Sequence, residues 1–345
     1  MRRLPLEDQG NRVQSSTRLR VEDFYFDWPC SPGSVRVGQQ GISLTWPLRF
    51  ISLLIHGALT VLVLPLWLGG ARPALAADQD RQVSIAAPPQ RIVSLAPSIT
   101  EILYFLEAGD QVVGVTSFCN YPPEVQGKPR VGTYWEFNLE AILALKPDLV
   151  LAMAHQGEGA QNFSVLSHWR IPFYQGQADT LPDLFRLIRD LARLTGTLEV
   201  ARRKLPPLEN RVRTVENRVQ HRPPPRVFLE IDAEPLITVG QTSIQGDLIR
   251  RAGGLNIAQD LKARYPVINL EEVLKAQPEV ILFTGMAHSH ALPRRLNFWG
   301  GWSMLPAVRH QRLFWVNPDL VDRPGPRLVE GLELLAAIFH PMGYP

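Results

Sequence analysis

The chain has 345 residues, 45% of them apolar, which is enough for two domains of ordinary size with real cores. The formal charge of +3 sits in residues 1–76, where eight Arg face five acidic residues; 28 of the 36 basic and 28 of the 33 acidic residues follow. A neutral body gives no electrostatic footprint for nucleic acid, whose binding needs clustered Lys/Arg, and two cysteines, Cys30 and Cys119, exclude a disulfide framework and a four-thiolate metal or iron–sulfur site.

Residues 1–45 carry Arg, Gln and Ser without apolar periodicity. Phe50 to Leu68 is then almost continuously apolar, and is followed by Gly69-Gly70 and the small-x-small pattern Ala74-Leu75-Ala76. This reads as a signal peptide cleaved after Ala76, releasing a soluble protein into the periplasm. An uncleaved anchor is the alternative, since about 20 apolar residues can span a bilayer. Cys30 precedes the apolar run, so no lipid-attachment box is formed.

Arg91 to Leu95 reads as a short buried strand. Ser98 and Glu101 have the S-x-x-E spacing of a capping box at the start of a helix that runs on to Gly109. Val112–Val115 is a strand, Ala141–Leu145 a helix and Leu149–Leu151 a strand, an alternation that predicts a parallel sheet covered by helices. Leu181 to Gln220 is helical, interrupted by Gly196 and by Pro206-Pro207, which is expected to kink or start the second helix. His221 to Pro225 stops it, and Arg226–Glu230 opens a second α/β unit reaching about Pro341.

The fold class is therefore α/β: two lobes with mainly parallel central sheets flanked by helices, joined by one long inter-domain helix. The expected boundaries are an extension and signal peptide at 1–76, a first lobe at 77–195, a linking helix at 196–222 and a second lobe at 223–345.

An internal repeat supports the two-lobed reading. NLEAILALKPDLVL (138–151) returns 131 residues later as NLEEVLKAQPEVIL (269–282), with six of fourteen positions identical. A tyrosine, Tyr134 or Tyr265, stands four residues before each Asn. In open α/β sheets ligands lie beyond the carboxyl ends of the strands. Both tyrosines then approach one cleft from opposite sides, an arrangement suited to a large, flat ligand. Glu140 and Glu271 occupy matching places in the first helical turns. They either complement the helix dipole, by about 0.3–1 kcal/mol, or form two acidic knobs for a symmetric partner.

The segments RIVSLAPSITEIL (91–103), NYPPE (120–124), the two repeat copies, RVFLE (226–230), GQTSIQGDLIRRAGGLNI (240–257) and DLVDRPGPRLVEGLELL (319–335) resemble the helix-hinged periplasmic binding proteins. Within them the chain resembles the cobalamin-binding component of vitamin B12 importers. The resemblance implies a corrinoid as transported ligand, no cofactor, and delivery to an ABC permease dimer at the inner membrane by a monomer. It assigns ligand contact to Tyr121, Tyr134 or Trp135, Tyr265 and Arg323, and docking on the permease to Glu140 and Glu271. Asn120 replaces the family's usual Asp, and Met153-Ala154-His155 stands where another Trp is common. That leaves room for a different corrinoid, a haem or a ferric siderophore, and direct capture of a bare metal ion is a separate alternative.

His155, His288 and His290 follow strands and are candidate metal or chelate ligands, against the simpler reading of exposed loop histidines. Cys119 reads as a small buried residue, Trp299 and Trp302 as a mixture of core and rim, and Gly253-Gly254 as a turn after a helix. A chelate-processing enzyme would need several cysteines, and a hydrolase a G-x-S-x-G elbow that the sequence lacks. The expectation is a binding protein and not an enzyme.

Overall fold

The computed structural model describes residues 87–133, 136–154, 164–284 and 292–341. The expected signal peptide lies outside them. In chain order the first half is β1 (Ile92–Ser94), α1 (Pro97–Phe105), β2 (Val112–Val115), α2 (Leu139–Ala144), β3 (Leu149–Met153), α3 (Ser164–His168), β4 (Phe173–Gly176) and α4 (Leu181–Thr195). Next comes α5 (Leu198–Val219), a helix of 22 residues. The second half is β5 (Arg226–Glu230), the hairpin β6 (Asp232–Ala233) and β7 (Leu236–Ile237), α6 (Ile244–Arg251), β8 (Leu255–Asn256) and α7 (Leu270–Ala276). It ends with β9 (Val280–Phe283), α8 (Leu292–Gly300), α9 (Pro306–Arg309), β10 (Leu313–Trp315), α10 (Pro318–Val321) and α11 (Leu328–Phe339).

Each half builds a four-stranded parallel sheet, ordered β2-β1-β3-β4 in the first and β10-β9-β5-β8 in the second. Read from the opposite edge, the second order is β8-β5-β9-β10, the same topology. The repeat falls on α2–β3 and α7–β9, and its register is shared: Ile92 lies opposite Leu149, and Val227 opposite Val280. Asn138 and Asn269 both cap their helices, accepting hydrogen bonds from the amides of Ala141 and Glu272. The second is a full capping box, because the Glu272 side chain returns to the Asn269 amide.

The strands are apolar on both faces because each face meets a different core. Ile92, Leu149 and Leu151 of the first sheet join Val227, Leu229 and Leu282 of the second in one cluster. That cluster also takes in α4, α5, α6 and α11. The alternate residues point the other way: Val93 and Val150 into one outer cluster, Phe228 and Ile281 into another around Trp299. The two sheets thus share a core, and separating them would expose it.

The helices α4 and α5 meet at Gly196, whose φ of 74° is the left-handed region that favours glycine. A Cβ there would lie 2.9 Å from Pro88 Cγ. Pro206 and Pro207 were expected to kink or start a helix; both lie inside α5. Proline removes the donors that would bond the carbonyls of Arg202 and Arg203. Arg202, Arg203, Pro206 and Pro207 are all exposed, on a face open to solvent, and the helix continues through them.

Side chains fasten α5 on both sides. Arg203 and Lys204 each reach Glu107 at 2.9 Å, and Glu209 pairs with Arg189 of α4. Towards the second half, Arg211 forks onto Glu333 of α11 at 2.8 and 2.7 Å, and Glu216 pairs with Arg251 of α6.

Candidate functional site

The loops that follow the carboxyl ends of the two sheets are bound to one another by side chains. From the first lobe come Glu101 on α1, Asn120 and Tyr121 after β2, and Asp179 after β4. From the second come Arg264 and Tyr265 between β8 and α7, and Asp319, Asp322, Arg323 and Arg327 after β10.

Glu101 is the centre of this seam. Sequence spacing predicts that it caps α1 with Ser98, and the structure corrects this. The helix starts at Pro97 after Ala96, with no side-chain cap. Proline needs no donor partner at that position. The carboxylate instead crosses to the second lobe, where Arg327 donates to both its oxygens at 2.9 and 2.6 Å. Arg323 stands 3.7 Å away and also reaches Asp319 at 3.0 Å. Burial pushes the Glu101 pKa above the usual carboxylate value, and the two guanidinium groups only partly pull it back.

Tyr121 is 42% exposed and packs its ring on the Arg327 guanidinium, 4.0 Å from centroid to Cζ. Its neighbour Asn120 accepts a hydrogen bond from Arg323 at 2.6 Å. Arg323 therefore stands at the lobe junction, with its guanidinium engaged by Asn120, Glu101 and Asp319. Further along the seam Arg264 pairs with Asp179 at 2.5 Å. The buried carboxylate of Asp247 on α6 accepts from the Leu181 amide at the start of α4, 2.9 Å away.

Tyr265, 46% exposed, points its hydroxyl at Gln245 Oε1, 3.4 Å away. Gln245 is buried and donates through Nε2 to Asp322 at 2.9 Å. Burial lifts the Asp322 pKa to about 6, against the opposing pull of Gln245. Thr284 at the end of β9 turns its hydroxyl towards that carboxylate without closing a hydrogen bond of ordinary geometry.

Among the expected contacts, the structure therefore sets Tyr121 and Arg323 at one stretch of the seam and Tyr265 at another. Tyr134 and Trp135 lie outside the described residues, as do His155, His288 and His290. Shortly before the first pair, Gly132 has a φ of 114°, and a Cβ there would lie 2.5 Å from the Glu136 carbonyl oxygen. Glu140 and Glu271 are exposed in the first turns of α2 and α7, and neither makes an ion pair with another described residue. Among the described residues no group of three or more His, Cys, Asp or Glu could hold a metal ion.

Sequence reasoning missed Glu101, Arg327, Gln245, Asp322 and the Asp179–Arg264 pair as parts of one seam. Glu101 carried a signal: an acidic residue inside the apolar run Ile99–Leu103 needs a partner from elsewhere. Cys119 is buried as expected, within 3.2 Å of the Thr100 and Thr116 hydroxyls. Trp299 is wholly buried and donates to Glu230 at 2.7 Å, so it belongs to the core.

Two lobes of one design, joined by a shared core and meeting at loops rich in aromatic and ion-paired residues, define a two-lobed binding protein. The periplasmic binding protein family model matches residues 92–320, and the chain belongs to that family. It is 32% identical over 247 residues to a vitamin B12-binding protein of Vibrio cholerae, covering 71% of this chain and 87% of the relative. The crystal structure of the periplasmic vitamin B12-binding protein BtuF of Vibrio cholerae is similar with a TM-score of 0.65 at 29% identity. That likeness covers 73% of this chain and 97% of BtuF. The periplasmic heme-binding protein RhuT from Roseiflexus is similar to the same degree, with a TM-score of 0.66, 26% identity and coverage of 73% and 98%. The chain is accordingly the substrate-binding protein of an ABC importer, presenting a small molecule to its permease, and not an enzyme. Its relatives work outside the cytoplasm, and no described helix is long and apolar enough to cross a membrane.

Proposed function

We propose that the ligand is a corrinoid of the cobalamin type, held between the lobes with Tyr121 on one side and Tyr265 on the other. Tyr134 or Trp135 adds a further aromatic face and Arg323 lies at the ligand edge. The observation that carries this reading is the charge balance of the seam. Arg264, Arg323 and Arg327 are opposed by Glu101, Asp179, Asp319 and Asp322, so none of these three cations is spare. A haem brings two propionates and would leave them facing an already satisfied, slightly acidic lining. A cobalamin is rimmed by neutral primary amides, which ask for hydrogen bonds and apolar area and no counter-charge. Exposed tyrosines supply both at low entropic cost. The similarity to named vitamin B12-binding proteins supports the same choice.

Delivery follows from symmetry. Glu140 and Glu271 stand on equivalent helices of the two lobes, exposed and unpaired within the described residues, and suit two equivalent basic sites on a dimeric permease. The protein acts as a monomer in the periplasm after its leader is removed beyond Ala76.

Calorimetry with cyanocobalamin, cobinamide, haem and a ferric siderophore tests the ligand. The expected result is saturable binding of both corrinoids. Haem or siderophore binding with neither corrinoid bound would overturn the assignment.

A further inference from the structure

Tyr265, Gln245 and Asp322 form a short chain of hydrogen bonds that runs from the exposed face of the seam into the protein. Its polarity is fixed from the buried end. An ionised Asp322 can only accept, so the Gln245 amide must turn its Nε2 to Asp322, as the 2.9 Å contact has it. Gln245 Oε1 then faces Tyr265, and only the tyrosine can donate across that gap of 3.4 Å. Burial raises the Tyr265 pKa above that of an ordinary phenol, so the hydroxyl keeps its proton. With that proton turned inward, the lone pairs of the Tyr265 oxygen are left for whatever lies outside.

We propose that Gln245 and Asp322 are specificity-determining residues that orient the Tyr265 hydroxyl as a hydrogen-bond acceptor for N–H donors on the ligand rim, and that protonation of Asp322 reverses that orientation. A protonated Asp322 donates to Gln245 Oε1, the amide turns over, and Nε2 then donates to the Tyr265 oxygen. The phenolic proton is expelled outward, and the tyrosine now meets the ligand as a donor. Primary amides offer N–H groups to an acceptor; carboxylates offer none. The neutral-pH state therefore selects amide-rimmed ligands, and acid relaxes that selection.

Several groups set the titration of Asp322 besides Gln245 of α6. Arg323 lowers its pKa and Asp319 of α10 raises it, with Thr284 at the end of β9 beside it. Tyr265 brings Arg264 and Asp179 within electrostatic reach of the chain. The Asp322 value of about 6 places the reversal between neutral and mildly acidic conditions.

The inference rests on Tyr265 touching the ligand, as proposed above, and two measurements separate the claims. In the ligand-free protein labelled with carbon-13 at the tyrosine ring Cζ, the Tyr265 resonance, assigned with Tyr265→Phe, is expected to step with a midpoint near 6. Asp322→Asn should remove the step. A Tyr265 resonance that stays flat from acid to neutral pH overturns the proposal, whatever the ligand. In calorimetry, the affinity for cyanocobalamin should fall about fivefold through the same midpoint, the size of one ordinary hydrogen bond. Asp322→Asn, Gln245→Met and Tyr265→Phe should each flatten that pH profile. A wild-type profile that is flat while the resonance steps overturns the ligand half of the proposal. No cyanocobalamin binding at any pH defeats the corrinoid reading, and the resonance alone then decides the relay.

Discussion

At Glu101 a carboxylate has been taken out of water, and two guanidinium groups from the other lobe offset only part of that loss. Removing one partner of a buried pair costs about 3–5 kcal/mol, because the charge left behind is neither solvated nor paired. Arg327→Met, which strands the buried Glu101 carboxylate, should therefore lower the unfolding free energy by roughly 3 kcal/mol in urea titrations. It should also loosen Tyr121, whose ring rests on Arg327. The same variant should weaken corrinoid affinity by about tenfold. Asp322 is shifted in the same direction as Glu101, again by burial. Its folded pKa of about 6 lies above the ordinary 3.8, so the folded state binds its proton more tightly than the unfolded chain. The stability this contributes is fully present below pH 3.8 and is lost as pH rises through about 6. Asp322→Asn should then be more stable than the wild type at pH 7.5, by about 1–2 kcal/mol allowing for residual solvent at the carboxylate. The difference should vanish below pH 4. Thermal melts across that pH range measure it.

At the scale of elements, α5 carries a physical argument about motion. It is pinned to the first lobe through Glu107 and Arg189 and to the second through Glu333 and Arg251. Its apolar face, with Leu205, Val212, Val215 and Val219, sits in the core shared by both sheets. Opening the lobes by a wide angle would expose that core, at about 25 cal/mol for each Å² of apolar surface. Small-angle scattering of the free and ligand-bound protein should therefore give nearly the same radius of gyration. Gly196→Val should destabilise the junction of α4 and α5 through both its φ and the approach of Pro88.

Much of this architecture was legible in the sequence, because the apolar runs and the repeat are local signals. NLEAILALKPDLVL and NLEEVLKAQPEVIL foretell a capped helix, a turn and a strand, and the chain builds both copies. The seam was not legible in that way. Which partner Glu101 takes depends on residues 226 positions away, and no local spacing encodes that distance. The spacing of Ser98 and Glu101 even pointed to the wrong partner, since a capping box and a buried cross-lobe carboxylate look alike in sequence. Pro206-Pro207 do not start α5 but lie inside it, since whether a proline ends a helix also depends on which carbonyls solvent can reach.

For the whole molecule, two copies of one α/β plan face each other across a seam whose charges are already balanced. That balance leaves Tyr121 and Tyr265 as the exposed chemistry of the described seam, and it favours a neutral, amide-bearing ligand over an anionic one. The same duplication places Glu140 and Glu271 in equivalent exposed positions. Reversing both, as Glu140→Arg with Glu271→Arg, should abolish corrinoid uptake in cells while sparing affinity of the purified protein. Uptake at the wild-type rate would dismiss the docking role. Calorimetry of the purified protein with cyanocobalamin at pH 7.5, wild type beside Tyr121→Ala and Tyr265→Ala, tests the central claim most directly. One corrinoid per chain is expected, with affinity reduced at least tenfold by either substitution. Binding that both variants leave unchanged, or a protein that takes haem and ignores the corrinoid, would contradict it.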